Sequence, residues 1–166
     1  MKFKDIQNAD GSGVKYGDLT GQTYTGDINL SYQNLTSLEG APAVVNGSFF
    51  VNDNNLTSLK YAPHTVSEIF SCSTNKKLTS LEFAPISSQS FFFYETEVKN
   101  EKDQIIKYRI KANKYYGNID NFLFKKIKEE FNKYANPRYT SIKSKGFKKL
   151  LGIDWWEHLK IQNTEI

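Results

Sequence analysis

Three stretches of this sequence repeat one wording: "NLTSLEGAPAVV" at residues 34–45, "NLTSLKYAPHTV" at residues 55–66 and "KLTSLEFAP" at residues 77–85. The leucine that opens LTSL in these copies, and the residue that replaces it in a degenerate fourth copy, are Leu35, Leu56, Leu78 and Val98. The steps between them are 21, 22 and 20 residues, and the longer step reflects one extra residue, Lys76 or Lys77. Such fixed-period self-similarity is typical of a solenoid, in which each copy forms one turn and stacked turns share a core.

Upstream of LTSL, each copy fits the pattern L-x-L-x-x-N-x-L, in which L stands for an apolar residue. The copies of this pattern begin at Ile28, Phe49, Phe70 and Phe91. Because side chains alternate along a strand, the L positions are expected to point into the core, and the x between them to the opposite, concave face. Each copy therefore predicts one short strand.

The N position of the pattern is predicted to bond backbone groups where each strand turns, because a side-chain amide both donates and accepts hydrogen bonds. Asn54 and Asn75 occupy this position in the middle copies, whereas Gln33 and Thr96 occupy it in the outer ones. The ladder of amides is therefore expected to be imperfect at both ends.

Each LTSL is followed by an Ala-Pro pair that contains Pro42, Pro63 or Pro85. Proline lacks a backbone donor and disfavours the helical conformation in the residue before it. This part of each unit is therefore predicted to be an extended or polyproline-like convex side rather than a helix.

The stretches "NGSFFVNDNNLTSLKYAP" at residues 46–63 and "FSCSTNKKLTSLEFAP" at residues 70–85 resemble the leucine-rich repeat of accessory and hypothetical proteins from tailed bacteriophages. The unit "NLTSLEGAP" that begins at Asn34 matches that repeat residue for residue, and the resemblance covers residues 26–98. It implies a phage origin and a role in protein binding. It also implies that Cys72, at an inward strand position, belongs to the core.

The flanks of the repeats differ from them in composition. Residues 1–25 are rich in glycine and are predicted to form a turn-rich N-terminal cap. The alternation in "QIIKYRIK" at residues 104–111 predicts a strand, the last one added to the sheet. Helical spacing of apolar residues begins at Asp120, so residues 99–166 are predicted to be a basic, mainly helical C-terminal cap. The predicted fold class is α+β: a short leucine-rich-repeat solenoid of about four 20–22-residue repeats with a C-terminal helical cap.

Charge divides the chain into a mildly acidic front half and a basic back half, and the single cysteine and the lack of long apolar segments favour a cytoplasmic protein. Residues 1–98 carry six Lys or Arg and ten Asp or Glu, whereas residues 99–166 carry 16 and eight. A single cysteine excludes an intrachain disulfide framework and favours a reducing compartment. The polar opening "MKFKDIQNADGSG" does not read as a signal peptide, and no window approaches a membrane span, so the chain is expected to be soluble.

No set of residues that could perform catalysis converges in the sequence. His64 and His158 lack metal-ligand spacing, and the acidic residues are scattered over the repeats. The expectation is a protein that is not an enzyme, with no catalytic residues, no metal and no cofactor.

The candidate binding residues are the x positions of the concave face. They are Asn29, Ser31, Phe50, Asn52, Ser71, Ser73, Phe92 and Tyr94. An exposed stripe of Phe50, Phe92 and Tyr94 is predicted to anchor another protein, since clustered exposed aromatic residues are common at interfaces. Alternatively, the C-terminal helices fold over this stripe and bury it.

The predicted function is non-enzymatic binding and steric inhibition of a bacterial host or defence protein by a phage accessory protein in the infected cell. One alternative is nucleic-acid binding by the basic C-terminal region. Its candidate contacts are Lys143, Lys145, Lys148 and Lys149. A structural component of the virion is a further alternative.

Overall fold

The computed structural model describes residues 1–118; the predicted C-terminal helices and the lysines at 143, 145, 148 and 149 lie outside the described residues. The described chain contains little helix. Its elements are a 3₁₀ turn at Phe3–Asp5, β1 (Thr23–Thr25), β2 (Ile28–Asn29), β3 (Val44–Asn46), β4 (Phe49–Phe50), β5 (Thr65–Val66), β6 (Ile69–Ser71), β7 (Ser90–Phe92), α1 (Glu101–Lys107) and β8 (Lys114–Tyr116).

These strands form two parallel sheets, and each turn of the repeat region adds strands to them. One sheet has five strands in the order β2-β4-β6-β7-β8, and the other has three in the order β1-β3-β5. In the larger sheet, Ile28, Phe49, Phe70 and Phe91 stand in register at steps of 21 residues. The chain is therefore a β-solenoid of about four turns, which confirms the solenoid predicted from the repeats.

The three-stranded sheet follows the Ala-Pro pairs. β3 begins two residues after Pro42, and β5 begins two residues after Pro63. The backbone there is extended and pairs in parallel, which agrees with the prediction that proline excludes a helix on this side.

A column of aromatic rings runs through the core from turn to turn. Phe3, Phe49, Phe70 and Phe91 follow one another with ring centroids 6.3, 6.0 and 5.5 Å apart. Tyr115 closes the column 6.5 Å beyond Phe91, and its hydroxyl donates a hydrogen bond to the Ile110 carbonyl oxygen at 2.7 Å. One ring from each turn thus packs on the ring of the next, so the turns share one continuous core.

The predicted ladder of amides is present in the middle turns. The side-chain nitrogen of Asn75 donates to the carbonyl oxygens of Val51 and Cys72 at 2.9 and 2.8 Å. Its side-chain oxygen accepts from the Leu56 backbone N–H at 3.0 Å. Asn54 repeats this arrangement one turn earlier, and both asparagines are buried. Each amide therefore joins two turns through backbone groups that the strands leave unpaired.

The ladder is imperfect at both ends, as the sequence predicted. Gln33 is exposed, and its side-chain nitrogen donates to the nearby Ser31 carbonyl oxygen at 3.3 Å rather than joining two turns. At the other end, the Thr96 hydroxyl donates to the Phe93 carbonyl oxygen at 2.9 Å. Asn118 supplies the amide that Thr96 lacks, because its side chain accepts from the Thr96 backbone N–H and donates to the Thr96 carbonyl oxygen.

The extra residue of the third copy lies in a turn and leaves the strand register unchanged. Lys76 and Lys77 form this turn, in which the Leu78 backbone N–H donates to the Asn75 carbonyl oxygen at 2.9 Å. The stretch from Leu78 to the next strand is one residue shorter than in the other copies, so Phe91 still pairs with Phe70.

The prediction of a strand at residues 104–111 is wrong, because the chain forms α1 there. Ile105 and Ile106 are adjacent and both buried, which a strand with alternating faces does not allow and a helix does. The Gln104 side chain fixes the helix on the previous turn by accepting from the Leu81 backbone N–H at 2.7 Å. The last strand is β8 instead, and Tyr115 in it follows Phe91 by 24 residues.

Replacing Asn75 by alanine tests the ladder. The change leaves the Leu56 N–H and the Cys72 carbonyl group buried without their partner, whereas the Val51 carbonyl oxygen keeps the Asn54 side chain as a donor. The free energy of unfolding should therefore fall by about 2 kcal/mol or more. Urea unfolding measures the loss. Asn55→Ala is the matched control, because Asn55 is exposed and should cost less than about 0.5 kcal/mol. Equal losses in the two variants would contradict the structural role of the Asn75 amide.

Candidate protein-binding surface

All eight candidate binding residues predicted from the sequence lie on the outer face of the five-stranded sheet. Parallel register places their side chains in columns that run across the turns. One column is Asn29, Phe50, Ser71, Phe92 and Tyr116, and the next is Ser31, Asn52, Ser73 and Tyr94. A third column, before the strands or at their start, is Asp27, Ser48, Ile69, Ser90 and Lys114. These three columns together make up the outer face.

Two of the selected residues are buried in the outer face rather than presented by it. Ser71 lies in register between Phe50 and Phe92, and its hydroxyl donates to the side-chain oxygen of Asn52. Ser73 is only 1% exposed, and its hydroxyl has no hydrogen-bond partner in the described part of the chain. The expectation that both serines point freely outward is therefore wrong, because larger side chains on adjacent positions cover them.

Three aromatic residues gather at the β7–β8 end of the outer face. The rings of Phe92 and Tyr116 stack with centroids 4.2 Å apart and an interplanar angle of 8°. Tyr94 meets Phe92 edge-on at 6.4 Å and is 43% exposed. Phe92, Tyr94 and Tyr116 form the aromatic cluster. Phe50 stands apart from it across Ser71, so the predicted stripe is interrupted.

Tyr116 was missed by the sequence reasoning because residues 104–111 were assigned the last strand. The signal was present in "KYY" at residues 114–116, where Tyr115 takes the inward position and Tyr116 the outward one. The 24-residue step from Phe91 hid it, since the earlier strands follow at 21 residues.

At the end of the strands the chain turns through a row of residues with positive φ. They are Tyr32, Asp53, Thr74 and Glu95, with φ between +53° and +61°. Residues other than glycine rarely adopt this conformation, and here it places the four side chains at the rim of the outer face. Tyr32 is 74% exposed, and the neighbouring negative charge of Asp53 raises the pKa of its hydroxyl. The Thr74 hydroxyl donates to a carboxylate oxygen of Glu95 at 3.2 Å.

Carboxylates also line the opposite rim of the outer face. Asp27 accepts from the Ser48 backbone N–H at 2.8 Å, and Glu68 accepts from the Ser48 hydroxyl at 3.2 Å. Together with Asp53 and Glu95 they give four carboxylates, and none of the four forms a salt bridge within residues 1–118. Lys114 is the one cationic residue in the three columns, and Lys76 and Lys77 line a cavity together with Tyr32 and Asp53, so the rims carry charges of both signs.

A second apolar patch lies at a different corner, where each LTSL turns into Ala-Pro. Here Leu81 and Ala84 close a turn by a 3.1 Å backbone hydrogen bond, and Phe83 occupies its third position with φ +69°. Gly40 and Tyr61 take the same position in the preceding turns. Phe83 is 51% exposed and borders a groove of about 530 Å³. The groove is lined by Lys60, Tyr61, Ala62, His64, Glu82, Phe83, Ala84, Ile86 and Tyr108.

This groove was also missed by the sequence reasoning. Its signal is the change from glycine in "LEGAP" to aromatic residues in "LKYAP" and "LEFAP", at a position whose turn favours glycine. Residues held in strained backbone conformations cluster at functional sites, so Tyr61 and Phe83 are candidates for a functional role.

Two titratable groups of the described residues, Cys72 and Glu101, are buried. Cys72 is buried in the core, and burial raises the pKa of its thiol. Burial likewise raises the pKa of the Glu101 carboxyl, which accepts from the Asn118 backbone N–H at 2.9 Å. Its second oxygen has no hydrogen-bond partner within residues 1–118. No group of three potential metal ligands occurs among these residues.

Within residues 1–118, none of the helical segments has the length and apolar character that crossing a bilayer demands.

Comparison with known proteins found no matching family model, no matching curated protein and no matching solved structure. The fold and the outer face together define a β-solenoid that presents an aromatic cluster between rims of carboxylates.

Replacing Phe83 by glycine tests whether its positive φ reflects strain. Positive φ costs residues other than glycine about 1–2 kcal/mol, so glycine at this position should stabilise the folded state. Part of this stabilisation is lost, because glycine also makes the unfolded chain more flexible. The Phe83→Gly variant should therefore be more stable than Phe83→Ala, which removes the ring but keeps the strained conformation. Urea unfolding of both variants measures the difference. A glycine variant less stable than the alanine variant would show that the turn is unstrained.

The pH dependence of stability in the Glu101→Gln variant tests whether burial raises the pKa of the Glu101 carboxyl. Because the pKa of Glu101 is raised in the folded chain, the folded state binds its proton more tightly than the unfolded state. The stability of the natural chain relative to Glu101→Gln should therefore fall as pH rises above about 4.5, the ordinary value. Below that pH the carboxyl is protonated, so folding no longer has to bury a negative charge.

Chemical denaturation at a series of pH values measures this difference. The control is Glu97→Gln, which makes the same change in charge at an exposed side chain. A difference between Glu101→Gln and the natural chain that does not change with pH would contradict the assignment.

Proposed function

We propose that this protein is a non-enzymatic binding module whose outer face engages another protein. The observation that supports this most is the aromatic cluster of Phe92, Tyr94 and Tyr116, which stands partly exposed on the sheet. Aromatic side chains bury large areas on contact and lose little conformational entropy, so they dominate the binding energy of many interfaces.

The rigidity of the solenoid also supports binding. Each residue of the cluster lies in a strand that is paired to its neighbour or within two residues of its end, and Phe92 and Tyr116 already stack on each other. A preorganised surface binds with a smaller entropic cost than one that must order on contact. A rigid face of this kind inhibits a partner by covering its functional surface.

We further propose that the repeats are leucine-rich repeats of the type found in tailed-bacteriophage proteins. In this proposal, residues 99–166 are a basic, mainly helical C-terminal cap, of which residues 119–166 lie outside the described part of the chain, and the protein acts in the cytoplasm of the infected bacterium. Its target is a host or defence protein that it inhibits sterically. The repeated LTSL…AP units and their 21-residue register support the first part, and the resemblance of the repeats supports the rest.

Nucleic-acid binding is less well supported by the described surface. Four carboxylates on the rims of the outer face repel a phosphate backbone, so nucleic acid would have to bind elsewhere. The lysines proposed for that contact lie outside the described residues. A salt-sensitive mobility shift with DNA or RNA would favour this alternative, and the presence of the protein in purified virions would favour a structural role.

The proposed function is tested by recovering a partner from bacterial lysate and measuring its affinity for variants of the chain. Phe92→Ala combined with Tyr94→Ala should weaken binding by about tenfold or more, since each aromatic anchor contributes at least about 1 kcal/mol. Phe83→Ala is the matched control, because it removes an aromatic side chain that is similarly exposed at another corner. A partner that binds both variants as tightly as the natural chain would overturn the proposal.

A further inference from the structure

Exposed apolar side chains gather at the groove beside Phe83, away from the outer face. Tyr61, Phe83 and Ile86 are 48%, 51% and 48% exposed, and all three line the groove. They are three of the seven large hydrophobic side chains that stand exposed in the described part of the chain. A concentration of exposed apolar side chains on a protein surface indicates an interaction site.

The backbone gives a second reason to assign a role to these rings. Three successive turns of the solenoid close this corner with the same hydrogen-bonded turn, whose third position is Gly40, Tyr61 or Phe83. The φ angles there are +95°, +72° and +69°, a region that favours glycine. Because the Tyr61 and Phe83 rings are exposed, packing in the core does not account for keeping a ring in a strained conformation. Strain of this kind is found at binding sites.

The charges beside the two rings are of opposite sign. Lys60 precedes Tyr61, Glu82 precedes Phe83, and both charged residues line the groove. The Lys60 ammonium lies 5.1 Å from the centre of the Tyr61 ring. Both charged residues are exposed, and neither forms a salt bridge within residues 1–118. The groove therefore presents one positive and one negative group in adjacent turns, about 4.8 Å apart along the solenoid.

A surface with one charge of each sign in adjacent turns is complementary to itself. A two-fold axis that crosses the corner between these turns lays a second copy antiparallel on the groove. The turn of Tyr61 in one copy then faces the turn of Phe83 in the other, and each Lys60 faces a Glu82. An axis through either turn would instead set two lysines or two glutamates against each other, so the charges also select the register.

We propose that this protein forms a two-fold symmetric dimer through the groove. In the dimer, the Tyr61 ring of each copy packs on the Phe83 ring of the other, and Lys60 of each copy pairs with Glu82 of the other. The rings supply the apolar centre of the contact, and the opposed charges set its orientation. The groove contains none of the residues of the outer face, so the dimer presents two outer faces and this inference does not rest on the proposed function.

Sedimentation equilibrium of the full chain, from micromolar to millimolar concentration, measures the dimer directly. The natural chain should approach twice its monomer mass as its concentration rises. Phe83→Ala should weaken dimerisation about tenfold or more, because symmetry removes the ring from both halves of the interface. Tyr94→Ala is the matched control, since it removes a similarly exposed ring from the outer face and should dimerise like the natural chain.

Charge reversal tests the assigned pairing. Lys60→Glu and Glu82→Lys should each weaken dimerisation about tenfold or more, because each sets like charges against each other twice in the interface. A mixture of the two variants should dimerise again, since every charge then faces one of opposite sign. Recovery on mixing also shows that both variants are folded. The controls are Lys77→Glu and Glu97→Lys, which reverse exposed charges outside the groove and should each dimerise like the natural chain.

Three outcomes would overturn this dimer. One is a natural chain that stays monomeric over the whole concentration range, which would leave the groove to an apolar segment of another protein. Another is a dimer that Phe83→Ala does not weaken. The third is a mixture of Lys60→Glu and Glu82→Lys that associates no better than either variant alone. The proposed function survives all three, because binding of a partner through Phe92 and Tyr94 is measured separately.

Discussion

Hydrogen bonding between successive turns holds this molecule together. Its strands are only two or three residues long, so a single strand pair contributes few backbone bonds. The side-chain amides of Asn54 and Asn75 complete the pairing at the strand ends, where buried carbonyl and N–H groups would otherwise lack partners. Because each such unpaired group costs about 1–3 kcal/mol, a slip of one residue is strongly disfavoured.

This constraint explains how the chain accommodates its irregularities. The extra residue at 76 or 77 is confined to a turn, and the following stretch is shortened so that Phe91 remains in register with Phe70. In the last turn, α1 follows Val98 where the other copies continue into the Ala-Pro stretch, and the Gln104 side chain accepts a hydrogen bond from the Leu81 backbone N–H. Changes in length are thus absorbed between strands, and the aromatic column of the core continues.

A fixed register also decides what the outer face can present. Residues at equivalent positions of successive turns lie side by side, about 4.8 Å apart, so a large side chain limits the room of its neighbours. Ser71 fits between Phe50 and Phe92, whereas Phe92 and Tyr116 are adjacent and stack. Rings concentrate at one end of this face and carboxylates lie along both of its rims, whereas the groove beside Phe83 combines its rings with Lys60 and Glu82.

Much of the architecture could be predicted, because it depends on the spacing of residue types along the chain. Repeat length predicts the solenoid, alternation predicts which residues enter the core, and the asparagine position predicts the ladder. The pattern misled at residues 104–111, where Ile106, Tyr108 and Ile110 alternate as in a strand although Ile105 is buried as well. Because the last turn is longer than the others, Tyr116 was not predicted to lie on the outer face, and its stacking on Phe92 was missed.

By itself the sequence determined the period, the inward residues and the eight positions that share the outer face, since these depend only on spacing along the chain. Only the tertiary structure decided which of those positions are accessible and what accompanies them. Ser73 is buried, Tyr94 is exposed, and Tyr32 lies beside Asp53 of the next turn. The physical reason is that exposure and electrostatic surroundings are set by the side chains of adjacent turns, which are some 20 residues away in sequence and one strand spacing away in space.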